Sequence, residues 1–255
     1  MVETTKAAAK AAAFLKQKKY RKEQDAFLVE GLRSVEEAVE SGRVKTIFFV
    51  PTEDERTNAL LRKVEAKGIE LSKATAGYML QMADTTTPQG IMAVCELPHI
   101  QLAQVFNTGK MVLVVDRVQD PGNLGTLIRT ADAAGLGGVV CLSGTVDAYM
   151  PKVVRGTMGA LFHLPVVTDV SEADFLTVAA QSGYQTVATA MEGGESVFDV
   201  QLPKKSALIL GNEANGVSEH LLQSATGRVF IPMQGRAESL NVAMAAAVII
   251  FELNH

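Results

Sequence analysis

Apolar positions along this 255-residue chain fall into two kinds of run. Short β-branched or aromatic runs closed by Gly or Pro read as strands, and longer stretches with apolar residues three and four apart read as helices. Over the first hundred residues the pattern predicts a helix at 7–20, rich in helix formers, and a short apolar run at 27–30. A helical stretch then runs from Gly31 to about Glu40, and a strand at 44–50 is stopped by Pro51. A helix at 54–66 has Gly68 just past its end, a common stop signal, and is followed by a strand at 69–71, a helix at 74–82 and a strand at 90–95. That is an αβαβ layout with a small core of its own. Residues 98–109 break the pattern and are polar enough to read as a linker.

A second α/β series follows. Residues 111–115 form a fully apolar run, as expected of a parallel strand covered on both faces. The pattern then predicts a helix at 123–134, strands at 139–142 and 164–167, a helix at 171–181, and strands at 184–189, 207–210 and 228–231. A last helix at 240–253 is apolar around most of its circumference, so it must be buried in a large core or against another subunit. The expected fold class is α/β, with an N-terminal arm at 1–22, a small domain at 23–97, a linker at 98–109 and a larger domain at 110–255.

Composition narrows the picture. Apolar residues make up 47% and aromatics 5%, with no Trp, so the core is aliphatic. Cys95 and Cys141 form no CxxC and have no nearby His, which argues against a disulfide scaffold or a zinc site and fits a reducing cytoplasm. The longest uninterrupted apolar run, 242–251, is too short to span a bilayer. Charge is unevenly spread: residues 1–22 carry +6 and the rest of the chain −10. A basic arm on an acidic body is an electrostatic handle for a polyanion, typically nucleic acid. The same charges also suit a merely solubilising helix.

Three segments of the second series share a layout, each a strand running into a polar, glycine-containing loop. Loops at the carboxyl ends of strands are where open α/β sheets bind ligands. The first is Asp116-Arg-Val-Gln-Asp-Pro-Gly-Asn123-Leu-Gly, with Arg129 six residues after the Asn. Pro121 and Gly122 suggest a turn and Asn123 a helix cap. The second is Gly211-Asn-Glu213-Ala-Asn-Gly216, where a carboxylate would stand at the sheet edge and Gly216 suggests a tight turn. The third is Ile231-Pro-Met233-Gln-Gly followed by Ser239-Leu240-Asn241-Val242 and small residues. Capping by Ser or Glu explains its start, but Asn241 in an apolar stripe must find a partner. Taken singly, each has a plain structural reading. None is a dinucleotide fingerprint, since GxGxxG is absent, and that excludes an ordinary nucleotide-binding oxidoreductase.

Together and in this order, the three segments resemble the motifs of the SpoU (TrmH) family of RNA 2′-O-ribose methyltransferases, of the SPOUT superfamily. The stretch Lys152–Pro165 is also similar to the family, with Thr157 where Ser is usual. Residues 17–97, through Phe27–Arg33 and Thr86–Ile91, resemble the family's RNA-binding domain, itself similar to a ribosomal protein and shared with thiostrepton-resistance-type ribosomal RNA methyltransferases.

The resemblance implies a parallel sheet whose C-terminal part threads a deep trefoil knot, a homodimer, and S-adenosylmethionine as cofactor. The implied cofactor residues are Thr189, Ala190, Leu210, Gly211, Ile231, Met233, Leu240 and Asn241. The implied catalytic residues are Arg129, Asn123, Glu213, Ser239 and Asn241. An Arg stays charged at ordinary pH, so Arg129 is expected to stabilise developing alkoxide charge and clamp a phosphate. Lys18, Lys19, Arg21, Lys22, Arg33 and Arg155 are expected to contact RNA, 23S ribosomal RNA by preference and transfer RNA as the alternative. No metal and no membrane are implied. Base methylation on the same fold, or a non-catalytic RNA-binding protein, are the rival readings.

Overall fold

The computed structural model describes residues 1–237 and 239–254. The chain divides into two compact units: Met1–His99 with Tyr149–Phe162, and Ile100–Ala148 with His163 onward.

The first unit opens with β1 (Val2–Glu3), α1 (Lys6–Phe14), α2 (Lys18–Gln24), β2 (Ala26–Glu30) and α3 (Leu32–Ser41). It continues with β3 (Val44–Phe49), α4 (Glu55–Ala66), β4 (Glu70–Lys73), α5 (Ala76–Met82) and β5 (Ile91–Glu96). The strands form one mixed sheet in the order β1-β4-β3-β5-β2. Ala9, Ala12 and Leu15 pack with Leu28, Phe48, Met79 and Met92 into its core.

Residues 1–22 are therefore not a separate arm. Val2–Glu3 pairs with β4, and α1 buries one face while its lysines point outward, so the charge excess masked an amphipathic helix. The expected single helix at 7–20 is two, and Arg21 of the second folds back to donate from Nη1 to the Leu15 carbonyl at 2.7 Å.

β2 is an edge strand, yet all five of its residues are buried. The reason lies far along the chain. Residues Tyr149–Phe162 return to this unit, carrying α8 (Pro151–Thr157) and a 3₁₀ turn at Ala160–Phe162. Phe27 meets the Tyr149 ring edge-on at 5.1 Å and stacks with Phe162 at 6.1 Å. An edge strand covered this way cannot template further pairing. The sequence pattern had placed this stretch in the C-terminal domain.

The second unit contains α6 (Leu102–Phe106), β6 (Val112–Val115), α7 (Pro121–Ala133) and β7 (Gly138–Leu142) before the excursion. After it come β8 (Val166–Val170), α9 (Glu172–Gln181), β9 (Gln185–Thr189), β10 (Glu195–Ser196), β11 (Ser206–Leu210), α10 (Glu219–Ser224), β12 (Gly227–Phe230) and α11 (Val242–Leu253). The seven strands pair in the order β10-β12-β9-β11-β6-β7-β8, and every pairing is parallel. The near-continuous apolar runs of β6, β7 and β11 are buried throughout, as parallel strands require. The expected linker contains α6, whose Val105 and Phe106 are buried against Phe175 and Tyr184. Two apolar residues in a short polar segment were enough to dock it.

Candidate active site

The carboxyl ends of β12, β9, β11 and β6 lie side by side in the sheet. The loops leaving three of these strands, with the segment entering α11, line a cavity of about 600 Å³. That volume lies within the range of small-molecule and cofactor sites. The eight residues expected to hold a cofactor all line it: Thr189 and Ala190 at the end of β9, Leu210 and Gly211 at the end of β11, Ile231 and Met233 after β12, Leu240 and Asn241 before α11. Val242, Ala245 and Ile249 of α11 extend its apolar side.

Gly211 is indispensable to this shape. A Cβ there would stand 2.0 Å from the Gly216 carbonyl carbon and the Val217 nitrogen, so the returning loop passes directly over it. Gly216 makes the turn with φ of +67°, a region open to glycine at little cost.

Four of the five expected catalytic residues gather here. Asn241 caps α11, its Oδ1 accepting from the Ala243 and Met244 amides at 2.9 and 3.4 Å. Its Nδ2 donates to Asn123 Oδ1 at 3.0 Å, and Asn123 Nδ2 donates to Glu213 Oε1 at 2.9 Å. The relay thus has one direction, from the helix amides through two side-chain amides to a carboxylate. Ser239 lines the cavity beside it.

Asn123 is free for this because it is not a cap. Asp120 caps α7, accepting from the Asn123 amide at 2.8 Å. Pro121 and Gly122 form the first helical turn rather than a loop turn. Pro at the first helical position loses no needed donor.

Glu213 also accepts from the Gln119 and Asp120 amides, each at 3.3 Å. Partial desolvation pushes its carboxyl up, but the Asn123 side chain and these amides outweigh it and hold the group below its ordinary value. Glu213 is therefore an ionised acceptor that orients Asn123, and a poor proton carrier near neutrality.

Arg129 stands apart. It is exposed on α7 and does not line the cavity. Six residues from Asn123, it lies roughly 240° around the helix and about 9 Å along it. Asn212 was overlooked in the sequence although it sits inside the second motif. Its Oδ1 accepts from the Ala214 and Asn215 amides at 3.0 and 3.1 Å and shapes the loop.

The basic residues expected to contact RNA divide. Lys18, Lys19, Lys22 and Arg33 are exposed. Arg21 is not a surface contact, being 3% exposed and bonded to the Leu15 carbonyl. Arg155 is half-buried and pairs with Asp84 at 3.1 Å and Glu30 at 3.7 Å. It offsets the buried charge of Glu30 instead of presenting a cation to solvent. Among the described residues no group of three or more His, Cys, Asp or Glu side chains is placed to hold a metal ion, and no helix is long and apolar enough to cross a membrane.

Comparison with known proteins agrees with this geometry. Residues 110–251 match the SpoU rRNA Methylase family and residues 6–93 the MRM3-like substrate binding domain. The chain is 39% identical to the 23S rRNA (guanosine(2553)-2′-O)-methyltransferase RlmP of Bacillus subtilis, over 92% of this chain and 91% of that one. It is 32% identical to the 23S rRNA (uridine(2479)-2′-O)-methyltransferase of Streptomyces viridochromogenes, over 89% of this chain and 81% of that one. The AdoMet-bound rRNA methyltransferase of Sinorhizobium meliloti superposes with a TM-score of 0.86 at 31% identity, covering 99% of this chain and 96% of that one. The S. viridochromogenes methyltransferase AviRb with AdoMet superposes at 0.85 and 30% identity, covering 97% of each chain. With a family match over more than half of the chain and its three motifs meeting at one cavity, the protein belongs to the SpoU rRNA methylase family of S-adenosylmethionine-dependent RNA methyltransferases.

Proposed function

We propose that this protein methylates the 2′-hydroxyl of one ribose in 23S ribosomal RNA, in the cytoplasm and as a homodimer. The observation that carries the reading is the cavity with its directed relay. Leu210, Ile231, Met233 and Leu240 offer apolar faces to an adenine ring, and Glu213 supplies the carboxylate of the site. S-adenosylmethionine, when bound, supplies a methyl group on a sulfonium that is already an excellent leaving group. The task left to the protein is to position the hydroxyl and to stabilise charge as it loses its proton.

Asn123 and Asn241 hold fixed orientations through the relay, so each presents a defined donor or acceptor at the cavity rim. Arg129 carries a permanent positive charge suited to a developing alkoxide and the neighbouring phosphate. Its position away from the cavity of its own chain supports a dimer in which it serves the site of the second copy. The outer face of α11 supports the same assembly. Met244, Val248 and Phe251 recur at helical spacing and are 60%, 39% and 57% exposed, an apolar stripe of the kind that marks an interface. The relatives named for 23S rRNA support the ribosomal substrate.

The deciding experiment is transfer from radiolabelled S-adenosylmethionine to ribosomal RNA of a strain lacking the protein, followed by mapping of alkali-resistant sites. One new resistant position is expected. Label in RNA that stays alkali-labile would show base methylation and overturn the ribose assignment.

A further inference from the structure

The loop between β11 and α10, which walls the cavity, is gripped at both ends by one dipeptide, Asp116-Arg117. Neither residue belongs to the relay. Asp116 directly follows β6 and is only 1% exposed, and a buried carboxylate persists only where partners match its charge. Arg117 pairs with it in two places, Nε to Oδ1 at 2.7 Å and Nη2 to Oδ2 at 2.9 Å. The backbone N–H of Ser218 donates to Oδ2 at 2.8 Å. Ser218 ends the loop and caps α10.

At the start of the loop, Asn212 Nδ2 donates to the Arg117 carbonyl at 2.8 Å. Arg117 holds that carbonyl in place with φ of +57°, a left-handed conformation that costs a non-glycine residue energy and persists only where its surroundings enforce it. Its own amide is fixed by Thr145 Oγ1 at 3.0 Å. Within the loop, Asn212 and Gly216 exchange two backbone hydrogen bonds of 2.9 Å. Entry and exit are thus tied to the end of β6, and Glu213, Ala214 and Gly216 are left on the cavity wall.

We propose that Asp116 is a positioning residue for the cofactor: its carboxylate holds the Gly211–Ser218 loop against the first motif and so sets the wall on which S-adenosylmethionine lies. The proposal rests on the reading that this cavity binds that cofactor. An amide cannot replace the carboxylate. Arg117 and Ser218 are all donors toward Asp116, and Asn would turn its NH₂ group on one of them.

The test compares wild type, Asp116→Asn and Arg117→Gly by calorimetry with S-adenosylmethionine, by steady-state kinetics and by thermal unfolding. Asp116→Asn is expected to weaken cofactor affinity and raise its KM about 10- to 100-fold, the range for losing a hydrogen bond to a charged group. The KM for RNA and the kcat at saturating cofactor should stay within about threefold, because Asn123 and the Gln119 and Asp120 amides still hold Glu213 when Asp116 is replaced. Arg117→Gly keeps the carbonyl and suits the left-handed backbone, so it isolates the guanidinium; a smaller loss in the same direction is expected. A lowered Tm with unchanged cofactor affinity in both variants would reduce Asp116 to a folding role and overturn the proposal. Should Asp116→Asn not fold, unchanged affinity in Arg117→Gly overturns it by itself. Failure of the wild type to bind the cofactor would instead refute the assignment of the cavity.

Discussion

At the scale of single residues, the site separates orientation from charge. Asn123, Glu213 and Asn241 are joined in one relay, while the Arg129 side chain forms no hydrogen bond or ion pair with the other described residues. Replacing Arg129 by Ala should therefore leave S-adenosylmethionine affinity within about twofold and lower kcat by about 10² to 10³, the usual loss for one charge-stabilising donor. Calorimetry and single-turnover methylation would measure the two separately. Equal loss of both would make Arg129 structural.

Glu213 gives a pH signature. Its folded-state value lies below the ordinary 4.5, so the folded protein favours the ionised form. The contribution of that group is complete above the ordinary value and disappears as pH falls through the depressed one. Resistance to unfolding should therefore fall as the pH drops from about 4.5 through the depressed value in the wild type and stay flatter in Glu213→Gln. Identical pH profiles in the two proteins would assign the titration to another group.

At the scale of elements, α11 has two apolar faces with different tasks. Ala243, Ala246, Ile249, Ile250 and Leu253 are buried and pack it onto the sheet unit beside α7. The outward stripe of Met244, Val248 and Phe251 is exposed. Met244→Glu combined with Phe251→Glu should convert the proposed dimer to a monomer in analytical ultracentrifugation, with Tm little changed by two surface replacements. A dimer that survives would place the interface elsewhere.

Element α2 tests the RNA contact. Removing residues 1–22 outright would strip β1 and α1 from the core, so point changes are the informative route. Lys18→Ala, Lys19→Ala and Lys22→Ala together should flatten the slope of log affinity against log salt by about 2 to 3, near one per lost phosphate contact. An unaltered slope in filter binding would remove α2 from the RNA surface.

At the scale of the whole molecule, each unit carries one buried thiol. Burial pushes both upward, Cys141 to about 12, and the thiol rather than the reactive thiolate prevails. Cys95 lies in the first unit and Cys141 in the second. Neither should react with a thiol reagent in the native protein, and each should become reactive as its own unit opens. Following the two by mass spectrometry through a denaturant series would show whether the units unfold together. Rapid native labelling of either would contradict the burial.

The sequence by itself determined the α/β class, most strands and the longer helices of the second unit, and the three motifs, but not α6, β10 or α10. The runs of β6, β7 and β11 are buried throughout, and their apolar composition is a local signal that needs no partner to be read. The eight residues that the family resemblance named for the cofactor line one cavity, because each motif fixes which residues end or follow a strand. Local signals stopped where the chain's partners lie far away in sequence. Nothing near Tyr149–Phe162 says that it crosses back to cover β2, and nothing near Arg21 says that its charge is turned onto a carbonyl. Helix propensity ran α1 and α2 together, and polarity hid α6. The tertiary structure alone decided that Asp120 caps α7 and leaves Asn123 for Glu213, and that Asp116 reaches Ser218 from 102 residues away. Those assignments depend on which strand ends the parallel sheet places side by side, and pairing across a sheet is a non-local choice that no stretch of sequence encodes alone.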